Sequence, residues 1–263
     1  MYGFIIKKNF CDGWDNLLSM IVANLCMVCV GAGLVLLNAY FAINLVVQLL
    51  LYIVSFSVMS ILIFAYGDVA ASIANFNCAH VVDFFKKIPG AIKDGILFGV
   101  LTACITWVST IAISYYLFET KTMFGLFLGA MICWIDIFIL LAFQWFVPIR
   151  SLMHNNFKKC FKKSFLIFFD NKGFTILTAL YNLVLIVLSV LFFGFAPSFA
   201  GLLIANTNAL RIRLYKYDYL EEHPELETRA EQKQIPWEEL IYDDREALGP
   251  RKLKSFIFPW KED

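Results

Sequence analysis

Charge is what this sequence has least of. Only 16% of its 263 residues are Asp, Glu, Lys or Arg, against about a quarter in an ordinary soluble domain. Between Asp15 and Asp68 there is none at all. With 60% hydrophobic residues and a mean hydropathy of +0.71, the chain has too little polar surface to cover itself in water. That excludes a soluble globular domain and points to lipid as its solvent.

Reactive patterns are missing too. There is no GxSxG, Walker loop, HExxH or paired-carboxylate motif, so no enzymatic activity is expected. His80, His154 and His223 stand alone, without metal-ligand spacing to any acid or thiol. The seven cysteines follow no disulfide spacing, and the Cys26/Cys29 pair sits inside an apolar run where thiols act as small hydrophobes. No metal or cofactor is expected. Lys7 and Lys8 precede an apolar run too long for the core of a cleavable signal, so the expectation is a retained first span.

What is present is a series of apolar runs. They divide into six spans at about 17–37, 43–66, 95–117, 123–147, 174–193 and 197–214, each near the roughly 20 residues that cross a bilayer. The expected fold is therefore all-α: a polytopic transmembrane helical bundle over 1–216, with an acidic tail over 217–263. The sixth span is polar for lipid, with Asn206, Thr207 and Asn208, and is expected to lie among the others.

The net charge of +1 hides a split. Residues 1–216 hold 15 Lys/Arg and 8 Asp/Glu, whereas 217–263 hold 7 and 13. This lacks the concentrated basic face that nucleic-acid binding needs. Lysines and arginines gather in alternate connections: Lys7 and Lys8; Lys86, Lys87 and Lys93; the run from Arg150 to Lys172; and Arg211, Arg213 and Lys216. The other side has only Lys121. The positive-inside rule then places both termini in the cytoplasm of a multi-pass cell-membrane protein.

Two connections are amphipathic. Phe84, Phe85, Ile88 and Ile92 share a face beside Lys86 and Lys87, and Phe157, Phe161, Phe165 and Phe168 share one beside Lys158, Lys159, Lys162 and Lys163. Such stripes suit interfacial helices or linkers that touch anionic membrane lipids. Phe10, Phe84 and Phe157 begin similar apolar patterns 74 and 73 residues apart, which would give a threefold unit of one interfacial helix and one hairpin. In the tail, Leu220–Lys233 could form a short helix. The patches around Trp237–Tyr242 and Phe256–Trp260 are expected to dock on the cytoplasmic face or on a partner.

Asp136 is the sharpest single position. A carboxyl in the middle of the fourth span costs about 2.5–3.5 kcal/mol to insert, so it should face the bundle interior. It serves either as a proton or cation site or as a packing polar group. Asn24, Gln48, Gln144 and Asn182 are its expected hydrogen-bonding neighbours. Asp170-Asn171-Lys172-Gly173 reads as a cap and hinge before the fifth span. Gly31 and Gly33 allow a close helix contact.

Three stretches carry a family resemblance. They are Asn16-Leu17-Leu18 through Asn24-Leu25, Asp83-Phe84-Phe85-Lys86-Lys87-Ile88, and Pro148-Ile149-Arg150 followed by Asn156-Phe157-Lys158-Lys159-Cys160-Phe161-Lys162-Lys163-Ser164. Together with the ending Arg251–Lys261, they resemble the YesL family of bacterial membrane proteins, a domain of unknown function. The resemblance implies an accessory role near carbohydrate uptake, with a membrane transporter or other membrane protein as partner, and supplies no catalytic residues. A small secondary transporter using Asp136 is the alternative.

Overall fold

The computed structural model describes residues 1–41, 44–225 and 235–251, and among these it contains helices and no strand. The order is α1 (Tyr2–Asp15), α2 (Leu17–Tyr40), α3 (Leu45–Ala74), α4 (Val81–Ser114, ending in a π-helical turn at Tyr115–Glu119), α5 (Met123–Phe143), α6 (Phe146–Met153), α7 (Phe157–Asp170), α8 (Lys172–Leu191), α9 (Ser198–Glu222), and the short α10 (Trp237–Leu240) and α11 (Tyr242–Leu248). The all-α bundle expected from the sequence is the observed class. Five stretches are long and apolar enough to cross a membrane: Leu17–Tyr40, Leu45–Ala74, Val81–Glu119, Met123–Met153 and Lys172–Leu191. The stretch expected as the sixth span, α9, is not among them. Its Asn206–Asn208 segment and the charges from Arg211 onward make it too polar to face lipid.

Consecutive long helices pair as antiparallel hairpins, and a polar rung ties each pair. Asn38 donates to Ser55 Oγ at 2.7 Å between α2 and α3, and Tyr52 donates to Thr106 Oγ1 at 3.0 Å between α3 and α4. Ser109 donates to Asp136 at 2.8 Å between α4 and α5, and Asn182 to Asn206 at 2.7 Å between α8 and α9. Where no water competes, each such bond holds register for roughly 0.6 kcal/mol.

The tightest seam joins α3 and α4. Ala91, Gly95, Gly99 and Ala103 recur every fourth residue and are all buried. A Cβ on Gly99 would stand 2.4 Å from the Ser57 Cα, and one on Gly95 2.7 Å from the Ile61 Cα. Only hydrogen lets these backbones meet. The glycines expected to make such a contact do not: Gly31 touches only the Met59 side chain, and nothing lies within 4 Å of a Cβ on Gly33.

At the centre stands α9, whose residues from Ala200 to Leu210 are buried with one half-buried exception, Leu202. Asn24 of α2 holds its start, donating to the carbonyls of Phe195 and Pro197 at 2.9 Å and accepting from the Ala200 amide at 2.8 Å. The α8–α9 turn lies beside the middle of α2, where Gly194 faces Val28. Val28 is twelve residues before the end of α2, about 18 Å along a helix axis. The hairpin thus stops short of the far end of α2, and both its ends return to the face that carries the basic connections, called the basic face below.

Residues 81–94 form no separate interfacial helix; they are the first turns of α4, which runs unbroken through Pro89. Nothing at Asp94-Gly95 interrupts the helix, because Gly95 packs on α3 and Arg150 binds Asp94. Phe10, Phe84 and Phe157 occupy the ninth, fourth and first positions of their helices, so the 73–74-residue spacing is not a structural register. A different correspondence exists. Both α1 and α7 have fourteen residues and end in Asp-Asn, and each runs straight into a hairpin. Asn16 and Asn171 each donate back to the carbonyl four residues earlier, and each side-chain oxygen accepts from the chain at or near the hairpin's far end, Ala79 or Arg213. Asp170-Asn171 is thus a hinge, but the expected cap is not made: the Asn171 side chain bonds back to α7 and not to the first turn of α8.

The tail packs back on the bundle. Ile241 and Leu248 are buried, and Asp244 accepts from Arg211 at 2.6 Å. Residues 220–222 belong to α9, and the rest of the expected 220–233 helix lies mostly outside the described residues, as does the Phe256–Trp260 patch.

Gly99→Ala and Gly95→Ala should each lower the thermal unfolding midpoint of detergent-solubilised protein, by an amount equivalent to about 1–3 kcal/mol. Gly33→Ala should leave it unchanged. Equal behaviour of all three would refute the backbone seam.

Candidate functional site

Two cavities lie in line along α4, and a block of phenylalanines separates them. The outer one, of about 610 Å³, is bounded by α3, α4 and α5 and includes Asp136. Its polar lining is a ladder of hydroxyls on α4: Thr102, Thr106, Ser109, Thr110 and Ser114. Thr102, Thr106 and Thr110 donate back to carbonyls of their own helix, so their donors are occupied, and Thr106 Oγ1 also accepts from Tyr52. Asp136 is half-buried and accepts from Ser109 Oγ.

The floor of this cavity is Phe98 and Phe143. Phe98 packs its ring against Phe64 at 5.4 Å, Phe143 at 5.3 Å and Phe146 at 4.7 Å between centroids. One residue away on α4, Leu97 lines the second cavity. The aromatic block, drawn from α3, α4, α5 and α6, is therefore the wall between the two.

The inner cavity is a basin of about 990 Å³ on the basic face. Its wall is built around Arg150 of α6. The guanidinium donates through Nε to Asp94 at 3.1 Å, through Nη1 to both Asp68 oxygens at 2.5 Å, and through Nη2 to the Gly90 carbonyl at 3.0 Å. It also lies over the Phe64 ring at 5.8 Å. Two acids that close off the apolar parts of α3 and α4 are thus neutralised by one fork from a third helix, a geometry for which a lysine ammonium has no equivalent. Lys87 and Lys93 of α4 and Lys158 and Lys159 of α7 line the same basin.

The residues expected around Asp136 lie elsewhere. Asn24 holds the start of α9, as described. Gln144 ends α5 and donates to the Thr175 carbonyl at 3.1 Å, and Asn182 joins it to Asn206. Gln48 is exposed near the start of α3. Asn24, Gln144 and Asn182 instead bond groups near their own positions; the one side-chain partner of Asp136 among the described residues is Ser109, a residue type too common to single out. Of the interfacial lysines, Lys87, Lys158 and Lys159 reach the basin, while Lys86 and Lys162 are exposed outside its lining and Lys163 lies near Met153 Sδ.

A second polar centre lies under α9. Lys8 is fully buried, 3.0 Å from Asp12 Oδ2 and 3.6 Å from the Phe76 ring centre. Asn208 donates to Asp12 at 2.7 Å and to Asn9 at 2.9 Å. Burial pulls the Lys8 ammonium below its ordinary range against the attraction of Asp12. Burial likewise pushes the Asp12 carboxyl up, against Lys8 and Asn208. The attraction between the two opposes that burial cost, and the contacts of Asp12 and Asn9 with Asn208 seat α1 on α9.

No cluster of His, Cys, Asp and Glu able to hold a metal occurs among the described residues. No family model matches the chain, and no curated protein or solved structure is similar to it. The class that fold and composition define is an all-α helical bundle of the membrane-protein type.

Arg150→Ala leaves two carboxylates facing one another without a counter-ion. It should cost about 3 kcal/mol of stability, read as a fall in the unfolding midpoint, and Arg150→Lys should recover less than half of the loss. Full recovery by lysine would show that charge alone, and not the three-way fork, holds the site.

Proposed function

We propose that the protein is a non-enzymatic accessory protein of the cell membrane that holds a partner membrane protein at its cytoplasmic face. The observation that supports this is the way the tail is anchored. Arg211 grips Asp244, Lys7 donates to the Gly249 carbonyl at 3.3 Å, and Arg251 pairs with Asp15 at 2.5 Å. The last twelve residues follow a point, Arg251, that is fixed beside α1. Their sequence combines Lys252, Lys254 and Lys261 with Phe256, Ile257, Phe258 and Trp260, a mixture of aromatic anchors and cations suited to a protein groove. Near that point α1 also exposes Tyr2 and Ile6, four residues apart. The basic face is cytoplasmic in this reading, by the placement of its lysines. The resemblance to the YesL family adds a carbohydrate-uptake transporter as the kind of partner.

A second reading is favoured by one feature, the hydroxyl-lined cavity at Asp136. In it the protein is a small secondary transporter in which Asp136 couples solute movement to protons, with the phenylalanine block as the inner barrier.

Affinity capture of the full chain from its native membrane should bring down a membrane protein in fixed ratio, and a chain ending at Arg251 should lose it while keeping its unfolding midpoint. Capture unaffected by that truncation would remove the tail from the interface. Under the second reading, vesicles containing the protein should show pH-dependent solute flux that Asp136→Asn abolishes.

A further inference from the structure

We propose that the basin beside Arg150 is a binding site for a phosphate monoester, carried either by a free small molecule or by a lipid headgroup. Four observations converge on it. First, α7 begins without a cap: Asn156 makes no side-chain bond to the first turn, and that turn holds no acid. Its free amides and the positive end of the helix dipole remain unopposed. Second, the first turn carries Lys158 and Lys159, cations placed where the dipole already repels them. Both line the basin, and none of Lys87, Lys93, Lys158 and Lys159 is ion-paired among the described residues. An anion between α4 and α7 would relieve this repulsion, and helix starts are ready-made phosphate sites.

Third, neutral polar residues line the basin as well, among them Ser72, Asn77 and Asn156, so a ligand meets hydrogen-bonding groups beside the cations. Fourth, the volume of about 990 Å³ is that of a pocket for a small organic molecule, well beyond what a lone anion fills. The carboxylates of Asp68 and Asp94 also face this space, but Arg150 occupies them both. The local field therefore remains positive. A monoester is favoured over a diester because it has three acceptor oxygens and close to two charges at neutral pH, enough to meet lysines from both helices and the α7 amides together.

The site is independent of the partner reading, which capture experiments without phosphate decide. The test uses the full chain in lipid nanodiscs at matched ionic strength. In phosphatidylcholine discs, glycerol 3-phosphate is titrated, with glycerol as control. In a second arm the discs contain phosphatidic acid, a monoester, or phosphatidylglycerol, a diester of lower charge. The unfolding midpoint should rise with glycerol 3-phosphate if the ligand is a free solute, or only with phosphatidic acid if it is a headgroup. Lys87→Gln with Lys158→Gln and Lys159→Gln should weaken the response about tenfold or more. The exposed pair Lys86→Gln and Lys162→Gln, outside the basin, should not. Absence of any response in both arms would overturn the proposal. So would equal responses to phosphatidic acid and phosphatidylglycerol, or equal losses in the basin and control variants.

Discussion

The burial of α9 is the constraint on which the arrangement of the other helices depends. A segment reading Asn206-Thr207-Asn208 is costly to bury in an apolar medium, and hydrogen bonds from the same chain offset part of that cost. Asn182 answers Asn206, and Asn9 and Asp12 answer the Asn208 amide nitrogen, while Thr207 Oγ1 and Asn208 Oδ1 stay without a partner among the described residues. Those demands bring α8 to one side of α9 and α1 to another, while Asn24 brings α2 to its start. The apolar flank of α9 is left for α3 and α6. Lys8, an improbable residue for a fully buried site, is there because Asp12 is needed by Asn208 and needs a counter-ion in turn.

Around this centre the outer helices can be simple. The exposed side of α8, with Leu180, Leu183, Val184, Val187 and Val190, is an apolar surface without a protein neighbour, as is that of α5. The α3–α4 seam is closed by the absence of side chains, and Arg150 locks its inner end. These two devices place the hydroxyls of α4 opposite Asp136 on one side of the phenylalanine block and the lysines of α4 opposite α7 on the other. Both cavities are consequences of one rigid helix pair with α5, α6 and α7 laid against it.

Much of this was legible in the sequence, because apolar runs bounded by charge are a strong signal. The helix bounds of α2, α5 and α8 fall within a few residues of those expected, and the interior position of α9 follows from its asparagines. The site was less legible. Asp68, Asp94 and Arg150 each read as a charge at the end of a span, and nothing in a linear sequence says that three such ends meet. The Ala91-Gly95-Gly99-Ala103 spacing is a signal for the seam, whereas Gly31 and Gly33, two residues apart, do not share one helix face. The 73–74-residue pattern misled because apolar coincidences are common in a chain this apolar. The Asp-Asn pairs at 15–16 and 170–171, rarer letters here, mark the real correspondence. Asp136 was located by its charge, but its neighbours were not, since a hydroxyl such as Ser109 is too common to single out.

The contact between Asp12 and Asn208 spans 196 residues, and that interval is also a span of time. A ribosome adding about 5–20 residues per second needs roughly 10–40 s to make the second partner after the first. Throughout that period α1 is complete, and its lysine and carboxylate have no interior to enter. The newborn chain must therefore park a charged, amphipathic helix at the bilayer surface and admit it only when its last long helix arrives. Assembly of this bundle is thus closed by α1, a helix made long before its partner, which makes α1 a natural point for insertion factors to hold and for quality control to inspect.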